Sequence, residues 1–286
     1  MSMTFARHES FHLRSGWLRK GLNAIDIDNH IFLEDTGDAM DLLGIGKNMI
    51  SSLRYWLQAT GLTYEEYDSG VKVQKQTEFA KKIYDKDKYF EDIGTFWLIH
   101  YKLVSNKEMA TTWHWFFNYF KYEKFDKDDL LENLIEFIKR EGEEPPAESS
   151  LNKDLNVLIR MYLFDPETNK SPEDTLESPF SDLRILTEDD ENYVYNKPST
   201  NLLSPLILYY CILDSIDEEV DSVNIEDLLN PVNSIGRLFN FKPTDLYEHL
   251  EHLENKGYIN VYKQAGLNTI RLEEQSKEKV LDEYYD

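Results

Sequence analysis

Three short strings in this chain carry residue types suited to hydrolytic or phosphate chemistry. His8-Glu9-Ser10-Phe11-His12 fits the HExxH pattern, in which two histidines one helical turn apart hold zinc and the glutamate activates a water. A zinc hydrolase needs that string on a buried helix with a third ligand. Here it precedes the first helical signal, so a chance match is expected, with Arg7 and His8 near a surface. Gly44-Ile45-Gly46-Lys47 invites a phosphate-loop reading, but Asp41 stands where a Walker loop needs glycine and Asn48 where it needs Ser or Thr. Glu254-Asn255-Lys256 is a Glu-x-Lys string at the end of a helix, whereas a magnesium nuclease carries it on a strand after a further acidic residue. There is no Gly-x-Ser-x-Gly elbow and no Cys-x-x-Cys pair. The expectation is a chain with no catalytic residue, no metal and no cofactor.

Residue types suited to recognition are better placed. The segment Asp38–Leu62 reads as a short helix, a tight Gly44-Ile45-Gly46 turn and a longer helix, the order that sets a second helix into a DNA major groove. Ile50, Leu53 and Leu57 form its apolar stripe, leaving Lys47, Asn48, Ser51, Arg54, Tyr55 and Gln58 toward the outer side. Lysine and arginine bond guanine edges or phosphates, asparagine and glutamine bond adenine, and the helix N-terminus itself contacts phosphate. No carboxylate occurs from Lys47 to Leu62. Arg7, Arg14, Arg19 and Lys20 would extend this basic face if the first helix packs beside it; otherwise they are ordinary surface charge. A helix pair in a globular core with a polar outer side is the plain alternative.

A second recognition-type module lies near the C-terminus. Pro243 suits a first helical turn, Leu246, Leu250 and Leu253 recur at helical spacing, and Gly257 sits where a left-handed cap belongs. Tyr258–Lys263 and Leu267–Leu272 then alternate as the two strands of a hairpin, with Gln264-Ala265-Gly266 as its turn. That is the order of a winged helix-turn-helix. Its helix presents Asp245, Glu248, Glu251 and Glu254 to solvent, and carboxylates face phosphates poorly. Asp245, Glu248, Glu251 and Lys263 are therefore expected to meet a protein partner.

The elements that must position these residues are mostly helical. Helices are predicted at His12–Ala24, Met40–Leu43, Lys47–Thr60, Thr77–Tyr84, Ile93–Val104, Thr111–Tyr119, Asp128–Lys139, Leu151–Phe164 and Leu202–Ser215, with a small hairpin pairing Leu183–Leu186 with Tyr193–Asn196. Glu141–Ser150, with its Pro-Pro pair, reads as a linker. The division follows: a helical domain over 1–140 with the helix-turn-helix, an acidic linker with a helix and hairpin over 141–200, and the winged module over 201–286. The net charge of −23 is concentrated between Glu141 and Val232, which hold 22 acidic and 5 basic residues, so both ends are free to carry local basic faces. Trp97, His100, Trp113, His114, Trp115, Phe116 and Phe117 form an aromatic cluster whose spacing favours core packing over stacking on bases. Cys211, the single cysteine, reads as a buried small hydrophobe. No apolar run approaches the about 20 residues that cross a bilayer, and the N-terminus lacks a secretion-type apolar stretch, so a cytoplasmic location is expected.

The strings FARHESFHLRSGWLRKGL (Phe5–Leu22), LGIGKNMISSLRYWLQATGL (Leu43–Leu62) and DIGTFWLIHYKLVSNKEMATTWHWFFNYF (Asp92–Phe120), with the terminal winged module, resemble a bacterial domain-of-unknown-function family. Its members are found beside phosphoadenosine-phosphosulfate-reductase-like proteins in DNA sulfur-modification and phage-defence loci. The resemblance covers nearly the whole chain and implies a defence setting. It supplies no activity and no catalytic residues. The combined expectation is a mainly α, non-catalytic protein that binds double-stranded DNA through the Lys47–Gln58 helix and docks a sulfur-transfer or other defence-system protein. Two further readings stay open: a transcriptional regulator of a defence locus, acting as a homodimer on a palindromic operator, and a metal-dependent nuclease with a scattered site.

Overall fold

The computed structural model describes residues 3–33, 36–165, 177–217, 219–264, 267–274 and 276–286, and within these the side chains of Thr36, Lys263, Gln264 and Leu267 stand outside the description. The chain is helix-rich with small sheets and divides into two compact units. The first comprises Met1–Trp115 and Tyr122–Tyr195, the second Phe116–Lys121 and Asn196–Asp286. No described helix is long and apolar enough to cross a membrane.

In the first unit, α1 (Trp17–Ile27), α2 (Thr36–Leu43) and α3 (Lys47–Ala59) pack together, and a two-stranded hairpin of β1 (Thr63–Asp68) and β2 (Val71–Gln76) follows directly. Leu18, Leu22, Ile50, Leu53, Trp56 and Leu57 are buried on the facing sides, each worth about 1.5–3 kcal/mol when fully removed from water. Gly21 lets α1 approach α3: a Cβ there would stand 2.6 Å from Leu57 Cδ1. The first helix begins at Trp17, five residues later than its period suggests. The preceding segment is instead wound into turns, with Ala6, Glu9 and Ser10 at positive φ.

The remainder of this unit is α4 (Glu78–Lys86), α5 (Ile93–Ser105), the start of α6 (Thr111–Tyr119), α7 (Lys127–Arg140) and α8 (Glu148–Tyr162). Local capping explains several starts. Thr77 accepts from Ala80 N–H, Asp92 from Gly94 and Thr95 N–H, and Asp126 forms a reciprocal box with Asp129. A three-stranded antiparallel sheet in the order β3 (Lys124–Phe125), β5 (Asn192–Tyr195), β4 (Leu186–Asp189) completes it, so the expected small hairpin forms with Leu186 opposite Tyr195. The segment read as a linker turns at Gly142 and enters α8, whose Leu151, Leu155, Leu158 and Met161 are buried; the first unit therefore runs past residue 140, to Tyr195. Part of the acidic passage, residues 166–176, lies outside the described residues.

The second unit holds α9 (Pro205–Ser215), β6 (Ser222–Asn224), α10 (Ile225–Leu229), α11 (Ile235–Leu238), α12 (Pro243–Asn255), β7 (Ile259–Gln264), β8 (Leu267–Leu272) and α13 (Lys277–Tyr285). Its sheet runs in the order β6-β8-β7, antiparallel throughout. α12 ends as its sequence suggests. Gly257 N–H donates to Glu254 O at 2.9 Å and Tyr258 N–H to Leu253 O at 3.0 Å, with Gly257 at φ 80°, the two bonds of a Schellman cap. Leu246, Leu250 and Leu253 are buried, as is Cys211 on α9. The aromatic side chains of Trp97, Trp113, Trp115, Phe116 and Phe117, together with His100 and His114, are buried too.

Candidate nucleic-acid interface

The first turn of α3 carries the most open polar group among the described residues of the helix. Gly44, at φ 66°, ends α2 by donating from its N–H to Met40 O, and Gly46 is the N-cap of α3 in an extended conformation with no side chain to fill the first-turn N–H groups. Those donors share the turn with Lys47, Asn48 and Ser51, all exposed. No carboxylate stands in this turn. The positive end of the helix dipole and a lysine thus share one patch, an arrangement suited to an anion.

The later turns of α3 differ from the expected outer face. Arg54 is half-buried and donates to Glu65 Oε1 from Nε at 2.7 Å and from a terminal nitrogen at 2.6 Å, and to Phe32 O at 3.2 Å. Gln58 donates to the same Glu65 oxygen at 3.0 Å, and Lys72 pairs with its other oxygen. Burial alone would raise the Glu65 pKa, but the bonds from Lys72 and Arg54 outweigh it and hold the carboxyl below its ordinary range. Tyr55 is not on the outer side at all. It is 7% exposed, its hydroxyl donates to Met109 O at 3.0 Å, and burial, followed by the Asp154 charge, pushes its pKa well up. Period alone could not show that the N-terminal segment and the loop before α6 cover that flank.

Arg7 comes to this surface from a different part of the chain. Its side chain is exposed, and its two neighbours are anchored to one buried carboxylate: Ala6 N–H and His8 Nε2–H each donate to Asp154 Oδ1 at 2.8 Å, while Thr112 Oγ1–H donates to Oδ2 at 2.6 Å. Because Ser10 N–H donates to His8 Nδ1 at 3.1 Å, the ring proton sits on Nε2. His8 therefore serves a structural network, and the HExxH string lies in turns rather than on a helix. Arg14 does not join the patch. Its guanidinium lies 5.5 Å from the rings of Phe11 and Trp17, with Nε buried.

Arg7, Ser51, Arg54, Tyr55 and Gln58 line one cavity of about 520 Å³ that also borders Glu9, Glu65 and Lys72. Five of the eight residues proposed from sequence for DNA contact thus converge on it. Glu65 and Lys72 are contributed by the β1–β2 hairpin, which was not foreseen. Its signal was present as Ser69-Gly70, a two-residue turn with both φ values positive (51° and 86°) between two six-residue strands.

On α12 of the second unit, Glu248, Glu251 and Glu254 are exposed, and Glu254 accepts Val261 N–H at 2.8 Å. Asp245 is not a surface residue: it is 8% exposed, accepts Lys242 N–H at 2.8 Å at the start of the helix, and pairs with Lys197. Lys263 belongs to β7 opposite Asn268, and its side chain lies outside the described residues, as does the Ala265-Gly266 turn. Among the described residues no three His, Cys, Asp or Glu side chains converge as a metal-binding group.

Comparison with known proteins agrees with this architecture over its full length. The magnesium ion-bound crystal structure of SspB matches with a TM-score of 0.86 at 28% identity, over 99% of this chain and 88% of that one. A second SspB crystal structure gives 0.85 at the same identity and coverage. No curated protein matches the chain. The model of the family described as "Protein of unknown function (DUF4007)" matches residues 5–285, and the chain belongs to that family.

Proposed function

We propose that this protein is a DNA-binding component of a bacterial DNA sulfur-modification system, gripping duplex through the first turn of α3 and Arg7. The carrying observation is the conjunction of exposed Lys47, Asn48 and Ser51 with an N-cap that leaves helix N–H groups unfilled, in a stretch free of carboxylates. The order α1-α2-α3 followed by a hairpin supports a winged helix-turn-helix reading of this region. The order α9-β6-α10-α11-α12-β7-β8, with its β6-β8-β7 sheet, supports the same reading of the second unit. Likeness to SspB over nearly the whole chain, together with the resemblance of the sequence to a family found in DNA sulfur-modification loci, supports the setting. The exposed Glu248, Glu251 and Glu254 repel phosphates, so α12 is assigned to a protein partner, for which a sulfur-transfer enzyme of the same system is the natural candidate.

Binding of a short labelled duplex, measured by anisotropy across a salt series, tests the reading. The Lys47→Ala/Asn48→Ala variant should bind more weakly, with the slope of log K against log salt reduced by about 0.9, the value for one phosphate contact. A double variant that binds as the parent does, with the same slope, removes α3 from the interface.

A second reading has one observation in its favour: the similar SspB structure was obtained with magnesium bound. Under it the protein is a metal-dependent nuclease. Incubating supercoiled plasmid with protein and magnesium, with a chelator control, separates the two, since chelator-sensitive nicking or cutting belongs only to the nuclease.

A further inference from the structure

We propose that the cavity beside α3 is a seat for one backbone phosphate of bound DNA, and that Glu65 occupies the phosphate's place on Arg54 until duplex arrives. This rests on the DNA-binding reading above. The cavity brings together Arg7, whose charge has no ion pair among the described residues, with Arg54, Lys72, the Ser51 hydroxyl and the Gln58 amide. These are the donors that contact phosphate oxygens in protein–DNA interfaces.

Two carboxylates line the cavity, the exposed Glu9 and Glu65, and among the described residues Glu65 is the acceptor that Arg54, Gln58 and Lys72 share. It receives two nitrogens of Arg54, the Gln58 amide and Lys72, the pattern of donors that a phosphate's oxygens also attract. Glu65 is carried by β1 of a hairpin whose far end is open to solvent: Tyr67 is 75% and Val71 53% exposed. Among the described residues the hairpin pairs with no third strand, so its side chains can re-pair without breaking a larger sheet. Arg7 and Ser51 stay open at the mouth, where a phosphate first arrives. Arg54 and Gln58 are reached only when Glu65 yields them. The carboxylate therefore sets a threshold, lowering affinity for isolated anions and favouring a ligand already held by Lys47 and Asn48 on the adjoining turn.

The test is a double-mutant cycle on duplex binding by the full chain, with folding of each variant checked by tryptophan fluorescence and urea midpoint. Glu65→Gln should bind duplex about fivefold tighter, with the salt slope steeper by about one as another phosphate is neutralised. Arg54→Gln should bind about fivefold more weakly than the parent, and the double variant should lose the gain of Glu65→Gln. Should Glu65→Gln fail to fold, Arg54→Gln alone decides, because an unchanged affinity and slope overturns the proposal. Parent binding with no gain from Glu65→Gln overturns the phosphate seat while leaving duplex binding by α3 intact. A parent that binds no duplex defeats the functional reading itself.

Discussion

Removing the Asp154 carboxylate should unfasten the N-terminal turn that presents Arg7. The carboxylate is 1% exposed and accepts three hydrogen bonds, from Ala6 N–H, His8 Nε2–H and Thr112 Oγ1–H. Bonds to a charged acceptor are worth about 1.5–3 kcal/mol each, which would sum to at least about 4.5 kcal/mol. Part of that is returned when the mutation also removes a buried charge, whose desolvation costs several kcal/mol, so the net loss expected for Asp154→Ala is about 3–5 kcal/mol. The turn itself opposes folding: Ala6, Glu9 and Ser10 sit at positive φ, each costing about 1–2 kcal/mol, and the carboxylate network offsets that strain from both sides of Arg7. Asp154→Asn keeps the Oδ1 acceptor and should lose less than half as much. The assay is urea unfolding followed by tryptophan emission. All five tryptophans lie in the first unit, and Trp56 and Trp113 both flank the His8 ring, so the signal reads this unit alone. In the same variants duplex affinity should fall to that of Arg7→Ala, since an unanchored Arg7 contributes no fixed contact. A loss below about 1 kcal/mol in Asp154→Ala, the value of an ordinary neutral bond, would refute the reasoning.

Two predictions concern the second unit. Burial, aided by the neighbouring His252 charge, lowers the His249 pKa from 6.5 to about 4, so the folded unit binds fewer protons than the unfolded chain within that window. Stability is then full above pH 6.5 and falls by about 3 kcal/mol as pH drops to 4, at about 1.4 kcal/mol per unit. Hydrogen exchange of α12 amides should show that dependence in the parent and a flatter one in His249→Leu; parallel curves would show that another group titrates. At Gly236 an added Cβ would stand 2.5 Å from Leu229 O and 2.6 Å from Leu229 Cα, backbone atoms with no rotamer to escape into. Gly236→Ala should therefore cost about 3 kcal/mol, against about 1 kcal/mol for Gly257→Ala, where space is open and only the positive φ objects. Equal destabilisation of the two variants by thermal unfolding would contradict the close approach.

What could be read from sequence was whatever is fixed within about a dozen neighbouring residues. The α12 stripe, its glycine cap and the following hairpin obey local rules, and so do the glycine turn before α3 and the aspartate caps of α5 and α7. The β1–β2 hairpin escaped notice because both its faces are polar: Glu65 and Glu66 on one strand and Lys72 and Lys75 on the other hide the alternation that marks a half-buried strand. Tyr55 and Arg54 were misplaced for a different reason. A helical wheel gives directions from the axis but not what lies in them, and here the N-terminal segment covers one flank while Glu65 claims the other. Asp245 shows the same limit, since on a wheel it joins Glu248 and Glu251, yet its position at the helix start turns it inward as a cap.

A net charge of −23 and a grip on DNA are compatible only if the field at the interface is local. At 0.15 M salt the Debye length is about 8 Å, so carboxylates farther away than that are largely screened, and the balance is set by Lys47, Arg7 and the open N–H groups of α3. With Lys47 and Arg7 as the proposed phosphate contacts the salt slope should be near −2, and it deepens when Arg54 and Lys72 are released from Glu65. Lowering salt to about 0.01 M extends the Debye length to about 30 Å and lets the distant negative charge act on the approaching duplex. The local attraction and the global repulsion then grow together. Under the proposed DNA-binding reading, specificity would come from which phosphates and base edges fit the α3 patch, because the overall field offers non-specific DNA little reason to stay.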